Sequence, residues 1–131
     1  MNSNHTATAH YISQFSIIFF QTGLQSDATG TVVKVNGYSK SYANLPYTLW
    51  VDSGVNTIYS YNSPVTSNIT SKRYRLVSVT ILHPPISITA PITVTGNYVP
   101  QYLVTFNQTG LDPTATGTVV TISGDSKNTR A

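Results

Sequence analysis

Polar and apolar residues alternate with a period of two along most of this chain. Gln14–Phe20 sets Phe15, Ile17 and Phe19 on one face and Ser16, Ile18 and Phe20 on the other, which is the period of a strand. Both faces are apolar after Ser16, so the pattern predicts a strand covered on both sides. Further on, Tyr102, Val104 and Phe106 form one face against Leu103, Thr105 and Asn107, the pattern of a half-solvated strand. Thr22-Gly23 and Thr109-Gly110 predict turns, each followed by a leucine (Leu24, Leu111) placed to plug a core. Gly30–Gly37 and Gly117–Gly124 read as strands with Thr31, Val33, Val35 and Thr118, Val120, Ile122 facing inward. Between them lie three more candidates. Tyr47–Asp52 follows a proline tolerated at a strand start, and Val55–Tyr61 follows an Asp-Ser-Gly turn. Lys72–Leu82 sets Tyr74, Leu76, Ser78, Thr80 and Leu82 against Arg73, Arg75, Val77, Val79 and Ile81, and His83-Pro84-Pro85 stops it.

These paired patterns are one pattern written twice. QFSIIFFQTGLQSDATGTVVKVNGYSK (14–40) matches QYLVTFNQTGLDPTATGTVVTISGDSK (101–127) at an offset of 87 residues, and HTATAHYISQ (5–14) overlies ITVTGNYVPQ (92–101). Residues 1–44 and 88–131 are two copies of one segment, and 45–87 occurs once. Internal repeats take precedence in reading a fold. By equivalence with 92–100, residues 1–13 should also form a strand. About seven strands per repeat, with turns every 8–12 residues and no apolar 3.6-residue period, predict an all-β fold, an immunoglobulin-like β-sandwich. The expected division is a sandwich over 45–131, including the second copy at 88–131, with 1–44 as an extra half-repeat.

The extra half changes the functional question. Exposing six inner-face side chains such as Tyr102, Val104, Phe106, Leu111, Val120 and Ile122 forfeits about 10 kcal/mol, comparable with the whole stability of a domain. Unpaired edges would add an aggregation hazard. The extra half is therefore expected to be completed by a neighbouring subunit or by another repeat. Phe15, Ile17, Ile18, Phe19 and Phe20 are the expected donor strand, because Ile18 and Phe20 give it a second apolar face.

Composition narrows the classes. The chain has seven Lys and Arg, four Asp, no Glu, a net charge of +3 and no cysteine. Ser, Thr, Asn, Tyr, Val and Ile dominate, the palette of strands and short turns. The one basic cluster, Lys72-Arg73-Tyr74-Arg75, is too short for a nucleic-acid stripe. Lack of cysteine excludes disulfides, thiolate metal sites and a cysteine nucleophile. Phe15–Phe20 is far shorter than the about 20 apolar residues that span a bilayer, and MNSNHTATAH has no apolar leader core. If the protein is secreted, its leader has been removed or lies outside this sequence.

Candidate chemistry is sparse. Asp27, Asp52, Asp112 and Asp125 form no acid/base pattern, and Asp27 aligns with Thr114, which points to turn chemistry. His5, His10 and His83 lack ligand spacing on one element. No phosphate loop is present. The expectation is a non-enzyme without a cofactor or metal. Lys34, on the first-copy strand, is the candidate lysine for a Lys–Asn or Lys–Asp isopeptide crosslink. Asn4, Asn68 and Asn107 each begin an N-x-S/T sequon, candidate glycosylation sites that would supply hydrophilicity in place of charge.

The residues also carry a resemblance. Pro46-Tyr47-Thr48-Leu49-Trp50-Val51-Asp52-Ser53-Gly54 is followed by the Tyr/Ser run Ile58–Tyr61 and then by KRYRLVSV (72–79), PITVTGNY (91–98) and QYLVTFNQTGL (101–111). This series resembles the immunoglobulin-like repeats found in tandem in archaeal cell-surface proteins, including thermopsin-associated, S-layer-associated and extracellular filament proteins. The resemblance spans essentially the whole chain. It implies an extracellular, cell-surface structural module without catalytic residues. The leading expectation is a subunit of a pilus- or thread-like filament, built from copies of itself head to tail by donor-strand complementation, and carrying N-linked glycans. The alternatives are a non-catalytic repeat of a larger adhesin or S-layer-associated protein, and a carbohydrate-binding module that stacks sugars on Trp50 and the nine tyrosines.

Overall fold

A computed structural model describes residues 5–81, 83–123 and 125–127. Among them the secondary structure is all-β, apart from one 3-10 turn at Tyr42–Asn44. The strands are β1 (Gln14–Thr22), β2 (Ala28–Thr29), β3 (Thr31–Val35), β4 (Tyr38–Ser41), β5 (Tyr47–Asp52), β6 (Asn56–Thr57) and β7 (Tyr59–Tyr61). They continue with β8 (Val65–Ser67), β9 (Lys72–Val79), β10 (Ile86–Ser87), β11 (Ile92–Tyr102), β12 (Val120–Ile122) and β13 (Asp125–Lys127).

Six strands form one sheet in the order β2-β8-β9-β11-β1-β5, and β4-β3-β7 form a second. The inner faces meet, consistent with a β-sandwich. Ile17 and Phe19 from β1, Val51 from β5 and Val94 from β11 pack with Val33, Val35 and Tyr59 from the smaller sheet. A second cluster joins Leu24, Val32, Val65, Tyr74 and Tyr98 at the other end. Val32 reaches it because the β3–β4 register shifts between Thr31 and Val33. Thus Val32 and Val33 are both buried, where strict alternation would turn Val32 outward.

A second irregularity rewrites the long strand. β9 pairs with β11 through Gly96↔Val79 and Asn97↔Ser78, then Tyr98↔Leu76. Val77 is the extra residue of this bulge and is exposed. An inserted residue reverses which side chains face the core. Tyr74 and Leu76 point inward before it, and Val79 and Ile81 pack on the core after it. The expected alternation through Thr80 and Leu82 therefore fails halfway, and β9 ends at Val79; Leu82 lies outside the described residues.

β1 is an interior strand of the large sheet, one place in from its β5 edge. It lies between β5, antiparallel, and β11, parallel, with Ile17 opposite Leu49 on one side and Ile92 on the other. Ile17 and Phe19 are fully buried, while Ile18 is half-buried and Phe20 is exposed. The expected cover over both faces is absent here: Ile18 and Phe20 sit on the outer face with exposed Trp50. Tyr61 crosses from the smaller sheet, and its single hydroxyl proton is shared between the Phe20 and Val94 carbonyl oxygens at 2.8 and 3.0 Å. Gly96 makes room for that ring, since a Cβ there would lie 2.5 Å from Tyr61 Cδ1.

Every buried residue among those described lies between Ile17 and Tyr98. The packed unit therefore runs from β1 to β11, residues 14–102. This differs from the expected sandwich over 45–131, and the reason is directional. β11 ends at Tyr102, and the second copy of the β1 sequence starts at Gln101. Because β1 and β11 are parallel, reaching β1's place from the end of β11 means going back about 40 Å at ~3.3 Å per residue. Parallel neighbours need a crossover of a dozen or more residues, and none separates these segments. Residues 5–13 likewise form no strand and are exposed, although their counterparts 92–100 make up most of β11.

Candidate functional site

The unusual surface of this chain is its second copy, because its residues repeat a core without having one. Val104 is the counterpart of Ile17, Phe106 of Phe19, Leu111 of Leu24 and Val119 of Val32. The first-copy members are 0%, 0%, 6% and 0% exposed, and the second-copy members 65%, 52%, 43% and 37%. At the other end Tyr11 is 92% exposed, whereas its counterpart Tyr98 is 4% exposed. Like residue types in like sequence thus meet opposite environments. The expected donor strand Phe15, Ile17, Ile18, Phe19 and Phe20 belongs to the chain's own sheet, so the surplus apolar face lies in 103–122. Among the described residues, 120–122 pair only with β13, in a separate two-stranded ribbon.

The packed unit and the surplus meet at the end of β11. A cleft of about 760 Å³ lies there, bounded by the Thr66–Arg73 segment and by Gln101, Tyr102 and Leu103. The Leu103 amide donates to the Ser71 carbonyl at 2.8 Å, and Arg73 Nε donates to Gln101 Oε1 at 2.9 Å. Exposed Tyr102 has Lys72 Nζ 5.9 Å from its ring centre.

Asp27 stands beneath this region and has more than a turn role. Its carboxylate accepts Ser67 Oγ at 2.5 Å and Tyr74 Oη at 2.7 Å, and it pairs with Lys72 Nζ at 3.1 Å. The Asp27 and Lys72 side chains are only 11% and 7% exposed. The Ser67 and Tyr74 hydrogen bonds, then the Lys72 ammonium, hold the carboxyl at about 2, below its ordinary 3.8. The network ties the first copy to β8 and β9, and Thr114 in the second copy cannot reproduce it. A carboxyl depressed on folding contributes stability that is complete above its unfolded value and is lost as pH falls through its folded value. The melting temperature should therefore drop between pH 4 and pH 2, and Asp27→Asn should flatten that drop. Circular dichroism melts across this range check it; an equally steep drop in the variant would remove Asp27 as the cause.

The remaining candidates do not converge. Asp52 Oδ1 accepts Gln14 Nε2 at 2.8 Å. Asp112 accepts the Thr114 amide and hydroxyl, which lower its pKa. His5, His10 and His83 are exposed, and no group of three metal-ligating side chains forms among the described residues. Lys34 is exposed on β3, opposite Ser39 and Ser60. Asn68, at the rim of the cleft, and Asn107 are exposed, while Asn4 lies outside the described residues. Trp50 is 63% exposed, opposite Ser16. No described helix is long and apolar enough to cross a membrane.

Comparison with protein-family models, curated proteins and solved structures gives no match.

Proposed function

We propose that this chain is a non-catalytic structural segment of an extracellular tandem array of immunoglobulin-like sandwiches. In this reading residues 14–102 are one repeat. Residues 5–13 belong to the last strand of the repeat before it, and 103–131 to the first strands of the repeat after it. The observation that carries it is the burial contrast between Ile17, Phe19, Leu24 and Val32 and their exposed counterparts. The parallel β1–β11 contact is the departure from a purely antiparallel immunoglobulin pattern.

Strand counting favours further repeats over copies of this chain as the completing partner. Each chain has one middle segment, 45–87, and therefore one sandwich. If a neighbour's 103–131 entered that sandwich, it would displace the resident 14–44 and leave an equal surplus. A head-to-tail homopolymer, the leading expectation from sequence, thus moves the exposed half without covering it.

The test lengthens the full chain by a second copy of residues 45–102 after Ala131. Amides of 103–122 should exchange fast in the original chain and become as protected as those of 16–35 in the longer one. Fast exchange in both would refute the array. Filaments of the original chain in negative stain, with 103–122 protected, would restore self-polymerisation.

We further propose that Asn68 or Asn107 carries an N-linked glycan in the native protein. Both are exposed and fit an extracellular location. Intact mass should fall on chemical deglycosylation; an unchanged mass would exclude the modification.

A further inference from the structure

We propose that consecutive repeats are joined without a linker: residues 92–109 form one continuous strand that closes one sandwich as β11 and opens the next in the position of β1, and Gln101 bridges Arg73 of the first to the counterpart of Asp52 in the second. This rests on the tandem reading and specifies its joint.

Two residues hold two roles at this joint. As the end of β11, Gln101 and Tyr102 lie opposite Arg73 and Lys72. Their first-copy counterparts, Gln14 and Phe15, begin β1 opposite Asp52 and Val51. The two roles demand the same side-chain directions. In β11 the buried Val94, Gly96 and Tyr98 put Tyr102 on the inner face and Gln101 on the outer. In β1 Phe15 packs on the core and Gln14 is exposed. A one-residue slip would turn every later side chain over; the repeat length prevents it.

The two edges of the through-strand are also free when each is needed. The sheet order β9-β11-β1-β5, with β11 and β1 parallel, puts β9 on one edge and the next repeat's β5 on the other. On the β9 edge the last contact is Leu103 N–H to Ser71 O. The next repeat's β11 takes over at Val104, the counterpart of Ile17, which faces Ile92. On the opposite edge β1 releases β11 after Asn97, and the next β5 begins at Gln101. Neither edge is claimed twice.

The side-chain chemistry agrees. Gln101 accepts Arg73 through Oε1, whereas Gln14 donates to Asp52 through Nε2. One amide can hold both bonds at once. The Ser53 amide also donates to the Ser13 carbonyl at 2.8 Å. Pro100, the counterpart of Ser13, lacks an N–H but keeps the carbonyl that this bond requires. The cleft beside Tyr102 and Leu103 is then the seam between two sandwiches, and each repeat advances the array by ~40 Å at ~3.3 Å per residue.

The experiment uses the full chain lengthened by residues 45–102. Nitroxide labels are placed on Ser60→Cys and its counterpart, in a protein otherwise free of cysteine, and the spin–spin distance distribution is measured. One narrow peak near ~40 Å is expected, and one alanine inserted between Tyr102 and Leu103 should shift or broaden it. A broad distribution with both repeats protected from hydrogen exchange would overturn the continuous strand and leave the tandem array standing. So would a narrow peak at a much shorter distance, or a peak indifferent to the insertion. Unprotected amides over 103–122 would overturn both.

Discussion

Replacing Phe19 by alanine is expected to cost about 3–5 kcal/mol of folding stability, while Phe106→Ala is expected to stay within about 0.5 kcal/mol. Both residues occupy the same place in the repeated sequence. Phe19 is fully buried, tilted against Tyr59 at 5.5 Å and stacked near Tyr47 at 6.4 Å between ring centres. Alanine there leaves a cavity that β5, β7 and β11 cannot close without breaking their ladders. Phe106 already stands half in water, so its loss removes little packing. Urea denaturation followed by far-UV circular dichroism measures both. In the chain lengthened by residues 45–102, Phe106→Ala should become as costly as Phe19→Ala. Equal costs in the original chain would mean that the second copy is packed already.

Gly23→Ala is expected to be comparably severe, at about 2–5 kcal/mol, and Gly110→Ala nearly silent in the same assay. Gly23 has φ +88°, and a Cβ built on it would lie 1.9 Å from the Tyr98 carbonyl oxygen. Left-handed backbone costs a residue with a Cβ about 1–2 kcal/mol, and forcing apart two packed backbones adds about 1–3 kcal/mol. Gly110 has the same backbone, φ +86°, but nothing lies within 4 Å of the built Cβ. Its change strains only a segment that does not support the folded unit. The partner that would make Gly110 indispensable is a Tyr98 counterpart one repeat later. A large cost at Gly110 in the original chain would contradict the environment described for 103–122.

The local pattern carried much of the fold. Alternation and turn residues located β1, and Tyr47–Asp52 forms a strand with the expected bounds. Val33 and Val35 face inward as anticipated, and Leu24 plugs the second cluster. These features depend on near neighbours, whose spacing a strand fixes at two residues per repeat of the pleat. The bulges at Val32 and Val77 were not legible. The bulge at Val77 is settled by the register of β9 with β11 and reverses the faces of the residues beyond it, whereas the bulge at Val32 lies within the β3–β4 hairpin and adds a second buried valine beside Val33.

The candidate site divides in the same way. The duplicated sequence established by itself that the chain carries more inner-face residues than one sandwich holds. It pointed to Phe15–Phe20 as the surplus because that strand is the more apolar. Apolarity marks the strand that is buried, and β1 uses Ile17 and Phe19 to fill the core of its own fold. Asp27 looked like a turn residue because its partners Ser67, Lys72 and Tyr74 lie on strands some forty or more positions away. What the sequence determined, then, was the all-β character, the repeat and the excess. Tertiary structure alone decided which half is in excess, because only pairing direction reveals that β1 and β11 run parallel. A strand ending at Tyr102 cannot turn back into the sheet it has just completed, so the second copy must run onward.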